Sequence, residues 1–187
     1  VQWIEDKGTR RLKFGSYHCR SRKMREKTIV LMSTYNGMPH LQEQVDSIFN
    51  QVYDGEIEIF VRDDGSKDDT MSFLEKYPKT ELRRIYVQQG ENIGKQKSFL
   101  KLIKNAGTAD YYFFADQDDV WLPNKIDRGV SSLRDAKNAT VYCSNYTVTD
   151  ETLNVRDEAF IKKMPLFTPI KTLLFNQVPG CCMAFNK

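Results

Sequence analysis

The chain is 187 residues long, 40% hydrophobic and 28% charged, which fits one globular domain with a real core and excludes wholesale disorder. The net charge of +3 is uneven: residues 1–27 hold nine Lys/Arg against three acids, a net +6, and the other 160 residues sum to −3. A basic leader on a mildly acidic body gives no support to nucleic-acid binding by that body.

Residues 1–27 read as a leader outside the core, with peripheral contact at a membrane surface as one role for its charge. Thr28–Ser33 (TIVLMS) is a continuous apolar run of strand length, and Leu41, Val45, Ile48 and Phe49 then recur at helical spacing. Glu56–Arg62 (EIEIFVR) alternates and predicts a second strand. Asp63-Asp64-Gly65-Ser66 is turn chemistry, after which Ser66 or Asp68 caps a helix running to about Tyr77. Leu82–Val87 predicts a third strand, and Phe99, Leu102 and Ile103 mark another helix. Tyr111–Ala115 (YYFFA), apolar on both faces, predicts a central fourth strand. A helix near Pro123–Ala136 and a strand at Thr140–Ser144 follow. Beyond these, Tyr146–Val155 reads as a hairpin around Asp150-Glu151, Phe160–Thr168 as an irregular loop and Pro169–Phe175 as a short helix. Gly180–Phe185 reads as a strand that begins another unit.

Strand and helix thus alternate through five strands, the pattern of an α/β fold: a Rossmann-like, mainly parallel sheet with helices on both faces. Ligands of such sheets bind outside the carboxyl ends of the strands. Polar segments follow four of them: Thr34-Tyr35-Asn36-Gly37, Asp63-Asp64-Gly65-Ser66, Gln88–Gly94 and Asp116–Asp119.

The sharpest of these is Asp116-Gln117-Asp118-Asp119. Three carboxylates in four residues repel one another unless a hard divalent cation, held by oxygen ligands, relieves them. The bland alternative is a solvated acidic turn that caps the next helix. Asp63-Asp64 is a second acidic pair, suited to a ribose hydroxyl or a base N–H, or else to turn capping. Tyr35 offers a stacking face worth ~1–3 kcal/mol per base. Asn92-Ile93-Gly94-Lys95-Gln96-Lys97 combines a close backbone approach at Gly94 with Lys95 or Lys97 for phosphate. It is not a P-loop, since Gly90-x-x-x-Gly94-Lys95 is one residue short, and no G-x-G-x-x-G supports a dinucleotide. Four cysteines (Cys19, Cys143, Cys181, Cys182) show no zinc spacing, and His18 and His40 form no triad with a nucleophile. No run approaches the ~20 apolar residues of a membrane span, and the leader lacks the apolar stretch of a secretory signal, so the expectation is a reduced, cytoplasmic protein, at most peripheral at the inner face of the membrane.

Taken together, Thr28–Gly37 (TIVLMSTYNG), Arg62–Ser66 (RDDGS), Glu91–Gly94 (ENIG) and Phe114–Pro123 (FADQDDVWLP) resemble the family 2 glycosyltransferases, in particular a bacterial rhamnosyltransferase-like branch. Cys143–Tyr146 and Gly180–Lys187 are similar to the middle region of that branch. The resemblance covers about residues 28–187. It implies a GT-A fold and inverting transfer of a sugar, rhamnose being one choice, from a nucleoside-diphosphate sugar (a dTDP- or UDP-sugar) to a glycan or lipid-linked acceptor. Carried over by position, Thr34, Tyr35, Asn36, Asp63, Asp64, Asn92, Gly94, Lys95, Asp116 and Gln117 hold the nucleotide-sugar. Asp118, with Asp116, holds Mn²⁺ or Mg²⁺. On this reading residues 28–150 bind the donor and residues 151–187 open an acceptor-side region. The family's general base lies downstream of a segment like Gly180–Lys187, so it is expected beyond Lys187, with Asp150 and Glu151 as default candidates only. Little or no transfer is therefore expected of this chain alone, as of a fragment. Two other readings compete: a nucleotide-sugar-binding module without turnover, and a haloacid-dehalogenase-type phosphatase, whose D-x-D-x-V pattern Asp116–Val120 also fits.

Overall fold

The computed structural model describes residues 25–157 and 178–187. The leader through residue 24, the predicted loop Phe160–Thr168 and the predicted helix Pro169–Phe175 lie outside the described residues.

The strands are β1 (Lys27–Thr34), β2 (Glu56–Asp63), β3 (Arg83–Gln89), β4 (Tyr111–Ala115), β5 (Val141–Cys143), β6 (Val148–Thr149), β7 (Val155–Asp157) and β8 (Met183–Asn186). The helices between them are α1 (Met38–Phe49), α2 (Thr70–Lys76), α3 (Lys95–Asn105) and α4 (Lys125–Leu133). One six-stranded sheet has the order β3-β2-β1-β4-β8-β5, and β6-β7 form a separate hairpin. From β3 to β4 all pairing is parallel.

Burial explains why β1 sits in the middle. Its residues alternate between two fully covered faces: Val30 and Met32 point into one core, Ile29 and Leu31 into the other. All four are 0% exposed, so a continuous apolar run is what this position requires. Leu41, Val45 and Ile48 of α1, Leu74 of α2, and Ile126, Val130 and Leu133 of α4 cover the first face, and Leu102 of α3 covers the second. Each such side chain contributes about 1.5–3 kcal/mol by leaving water. The sheet is therefore doubly wound. The chain builds outward from β1 through β2 to β3, then returns by α3 on the other face to place β4 on the far side of β1. The order reverses between β1 and β4, where crevices form in such sheets.

One expectation needs correction, that for Gly180–Phe185. The Thr140–Ser144 strand exists as β5, but it does not pair with β4. β8 lies between them, antiparallel to both, with Ala184 opposite Phe113 and Tyr142. Gly180–Phe185 accordingly does not open a new unit: a 3-10 turn at Gly180–Cys182 leads into β8, which completes this sheet. The reason is aromatic packing. Phe185 stacks on Tyr112 with ring centroids 5.1 Å apart and tilts against Phe114 at 5.6 Å. The expected second region beginning at residue 151 thus includes a strand of the first region's sheet. The Tyr146–Val155 hairpin is present as β6-β7, and Asp150 closes its turn by accepting from the amides of Thr152 and Asn154, each at 3.0 Å.

Close packing yields a test at Gly129 of α4. A Cβ there would stand 2.6 Å from Phe113 Cζ and 2.8 Å from its Cε1, and Phe113 is only 1% exposed. Gly129→Ala gains ~1 kcal/mol of helix propensity but overpacks a ring with nowhere to go, at about 1–3 kcal/mol. Urea denaturation is expected to show a net loss of stability; a gain would mean that Phe113 can repack.

Candidate functional site

At the reversal point the carboxyl ends of β1 and β4 diverge, and a cleft of about 250 Å³ opens there. Ser33, Thr34, Tyr35, Asp64, Asn92, Gly94, Lys95, Asp116, Gln117 and Asp118 line it. Eight of the ten residues expected to hold a nucleotide-sugar are among these, together with Asp118. The exceptions are Asp63 and Asn36.

Asp63 is 0% exposed, and donors within the protein use both of its oxygens. Thr34 Oγ1 donates at 3.0 Å, the amides of Gly65 and Ser66 donate at 3.1 and 2.9 Å, and the Ser66 hydroxyl makes a further short bond. Asp63 therefore holds the turn after β2 and does not reach the cleft. Asn36 stitches loops: its amide donates to Ser66 Oγ at 2.8 Å, and its Oδ1 accepts from the Lys67 amide at 2.9 Å. Its φ of 48° is a left-handed conformation that Asn tolerates. Asp68, expected as a helix cap, bonds the Thr70 amide at 3.1 Å and the Met38 amide at 3.2 Å, joining α2 to the start of α1.

Asp64 forms the wall opposite the acidic loop. Its carboxylate accepts from the Ile93 amide at 3.0 Å, from the Gly94 amide at 2.8 Å and from the buried Arg62 guanidinium. Burial works against its charged form, but those amides and the guanidinium outweigh it and hold its pKa below the ordinary value. Arg62 extends the network to Ser98 Oγ at 3.1 Å and the Glu91 carbonyl at 2.9 Å, while the hydroxyls of Ser98 and Ser33 are 2.6 Å apart. The network fixes the turn that starts α3. Gly94 there has φ +83°, a conformation that side-chain-bearing residues adopt only at a cost.

Across the cleft, Gln117 bridges the loops after β1 and β4. It takes the Tyr35 amide on Oε1 at 2.8 Å and gives Nε2 to the Tyr35 carbonyl at 3.3 Å. The Tyr35 ring is left 44% exposed at the mouth, free to stack. Three polar residues hold the segment after β4 from beneath, two on α1 and Gln51 just past its end. Gln44 Nε2 donates to the Asp116 carbonyl at 3.0 Å, Ser47 Oγ accepts from the Trp121 amide at 3.0 Å, and Gln51 holds the Leu122 carbonyl at 2.8 Å and the Ile126 amide at 3.0 Å.

The acids of that segment are less well satisfied. Asp116 Oδ1 meets Lys95 Nζ at 2.8 Å. Burial raises the pKa of Asp119, a hydrogen bond with Cys181 opposes this, and the charges of Asp116 and Asp118 add to the rise. Ligand atoms of Asp116, Asp119 and Cys181 lie within 4.8 Å of one another, whereas Asp118 is exposed at the rim. Crowded carboxylate oxygens with residual negative charge fit a hard divalent cation such as Mg²⁺ or Mn²⁺. Asp119 and Cys181 had no expected part here. The only signal for Asp119 was its place in the acidic run, and for Cys181 there was none. Lys125 borders the same corner, with its ammonium 2.9 Å from the Cys181 carbonyl and 4.6 Å from the centroid of the Trp121 ring. No helix among the described residues is long and apolar enough to cross a membrane.

Comparisons with known proteins give the family and the fold. The family model described as glycosyl transferase family 2 matches residues 29–186. A dTDP-rhamnosyl transferase of Shigella flexneri is 37% identical over 118 residues, 61% of this chain and 40% of that protein. An uncharacterized glycosyltransferase of Rickettsia prowazekii is 31% identical over 160 residues, 82% of this chain and 48% of that protein. The chain thus spans less than half the length of these relatives. Among solved structures, residues 1–349 of S. aureus TarS with UDP-GlcNAc align with a TM-score of 0.52 at 26% identity, over 62% of this chain and 33% of that one. A mannosyltransferase of Pyrobaculum calidifontis, solved with GDP-Man and Mn²⁺, aligns with a TM-score of 0.56 at 24% identity, over 66% of this chain and 37% of that one. The fold is GT-A, and the family match displaces the phosphatase reading.

The Arg62–Asp64 pair supports a stability prediction. Both side chains are buried, so Arg62→Met strands a carboxylate and is expected to lose about 3–5 kcal/mol at pH 7. Because the folded-state pKa of Asp64 is depressed, its stabilisation is complete above the unfolded value and fades as pH falls below 3.8. Denaturation at pH 7 and pH 3 should therefore show a smaller acid-induced loss in the variant than in the wild type. An equal loss in both would mean that the guanidinium does not set that carboxylate's titration.

Proposed function

This chain belongs to glycosyl transferase family 2, and on that premise we propose that it forms the donor-binding part of a metal-dependent, inverting glycosyltransferase. The observation that carries the reading is the meeting, in one cleft at the sheet's reversal point, of an exposed aromatic ring, the start of α3 and the carboxylates of Asp116 and Asp118.

The donor is a pyrimidine nucleoside-diphosphate sugar. Its base stacks on Tyr35, which Gln117 positions from behind. Ribose and base edges are read along the wall formed by Asp64, whose bonds to the Ile93 and Gly94 amides hold that wall in place. The diphosphate lies toward the start of α3, where Asn92, Gly94 and Lys95 face it. Asp116 and Asp118 hold the divalent cation, with Asp119 beside them adding to the negative field. When bound, the cation neutralises the charge that grows on the departing diphosphate. Likeness to the Shigella dTDP-rhamnosyl transferase favours dTDP-rhamnose, and the TarS complex supports a nucleoside-diphosphate sugar as the class of donor. The acceptor is a glycan or a lipid-linked precursor, whose hydroxyl gives up its proton to a general base. Asp150 is not a candidate for that base, because its carboxylate is occupied within the β6-β7 turn.

Calorimetric titration with dTDP, UDP and GDP, with and without Mn²⁺, tests this reading on the wild type and on Asp118→Ala. The pyrimidine nucleotides are expected to bind more tightly than GDP. Mn²⁺ should enhance that binding in the wild type and do nothing in the variant. Equal affinity with and without metal in both proteins would overturn the assignment of the cation site.

A further inference from the structure

We propose that Lys95 is a resident counter-cation for Asp116, displaced by the incoming divalent ion and then delivered to the donor's phosphates. The inference rests on the donor-binding reading and adds to it a coupling between the two ligands.

The two ends of the contact are both anchored, and only the lysine side chain between them is free. Lys95 is the first residue of α3, directly after Gly94, whose amide is tied to the buried Asp64 carboxylate. Asp116 is held through its carbonyl by Gln44 Nε2 from beneath. The Lys95 ammonium spans the gap to Asp116 Oδ1 at 2.8 Å, yet its side chain remains 67% exposed against 24% for Asp116. Among the described residues, no other hydrogen bond or ion pair holds the ammonium. Asp118 adds attraction from the rim.

Charge then dictates the sequence of events. A lysine ammonium and a divalent cation cannot share one carboxylate without strong repulsion at contact distance. For Asp116 to ligate the ion through Oδ1, Lys95 must leave. Lys125, half-buried at the same corner, is engaged by the Cys181 carbonyl and the Trp121 ring and does not take its place. A displaced Lys95 side chain, pivoting from the start of α3, stays inside the cleft it already lines. A diphosphate arriving there supplies the negative charge that the ammonium has lost. Metal alone therefore binds against Lys95, whereas nucleotide draws Lys95 away and opens Asp116. Each ligand promotes the other, and by linkage the promotion is equal in both directions. In the empty cleft, Lys95 also keeps the acidic cluster partly neutralised.

The experiment measures two affinities on the same proteins: Mn²⁺ alone, by paramagnetic resonance of free Mn²⁺, and dTDP at saturating Mn²⁺, by calorimetry. The proteins are the wild type, Lys95→Met, Lys95→Arg and the surface control Lys101→Met. Lys95→Met is expected to bind Mn²⁺ alone about tenfold more tightly and dTDP about tenfold more weakly, the usual scale of coupling between sites. Lys95→Arg should stay near the wild type on both counts, and Lys101→Met should match it. Opposite shifts are the signature, because a merely damaged cleft would weaken both ligands. Unchanged or weaker Mn²⁺ binding in Lys95→Met would overturn the inference, as would tightening in Lys101→Met. If the wild type shows metal-enhanced dTDP binding and Lys95→Met shows the same, only the role of Lys95 fails. If the wild type binds neither ligand, the donor-binding reading fails with it.

Discussion

Everything chemical in this protein depends on β1 being flanked in parallel by β2 on one side and β4 on the other. The register sets Thr34 opposite Asp63 and Met32 opposite Ala115, so the chain leaves all three strands at the same edge. Parallel pairing requires a helical crossover between neighbours, and reversing the winding after β3 sends α3 to the opposite face. Among the described residues, no helix from either side closes the gap between β1 and β4. That gap is the cleft, and it exists because of topology before any side chain fills it.

Topology opens the gap, but polar bonds through the core set its shape. Gln44 and Ser47 share α1 with Leu41, Val45 and Ile48, Gln51 follows just past its end, and Gln44 and Gln51 are 0% and 4% exposed. Buried amides of this kind are costly unless bonded, and here both reach the segment that carries the acidic loop, while also bonding to Ser47. On the other wall, the buried Arg62 ties the end of β2 to Ser98 of α3 and to the turn before it. The two walls of the cleft are therefore held by different elements, α1 for the acids and β2 with α3 for the opposite side. A change at either wall acts on the site without touching a ligand.

Much of this was legible from local pattern, and the failures have physical causes. The unbroken apolar runs of β1 and β4 announced strands covered on both faces, and the Asp-rich and Gly-rich segments announced strand ends. Local pattern does not reveal pairing partners. β8 reads as a short apolar strand wherever it sits, and only the fit of Phe185 against Tyr112 and Phe114 places it between β4 and β5. The α1 clamp was hidden for a related reason: a Gln on the apolar face of a helix looks like an imperfection in the hydrophobic stripe until its partner, 72 residues away, is known. Asp63 and Asp64 are adjacent and chemically identical, so sequence alone left both open between ligand and turn capping, and the resemblance carried both to the ligand. Strand alternation sends one into the turn and the other to the wall of the cleft.

That division between neighbouring acids extends to all five carboxylates at the strand ends. A carboxylate buried without partners costs several kcal/mol, so each must find donors, shift its pKa or stay near water. Asp63 has four donors, which fix it in place, and Asp64 has two amides and a guanidinium, which fix it and favour its charged form. Asp116, Asp118 and Asp119 have far less: one lysine on Asp116, an exposed position for Asp118, and a raised pKa for Asp119. The protein neutralises the first pair with its own backbone and leaves the second group short of positive charge. Structural acids and chemical acids separate along that line, and the direction of the deficit favours a cation over any anionic ligand at the end of β4.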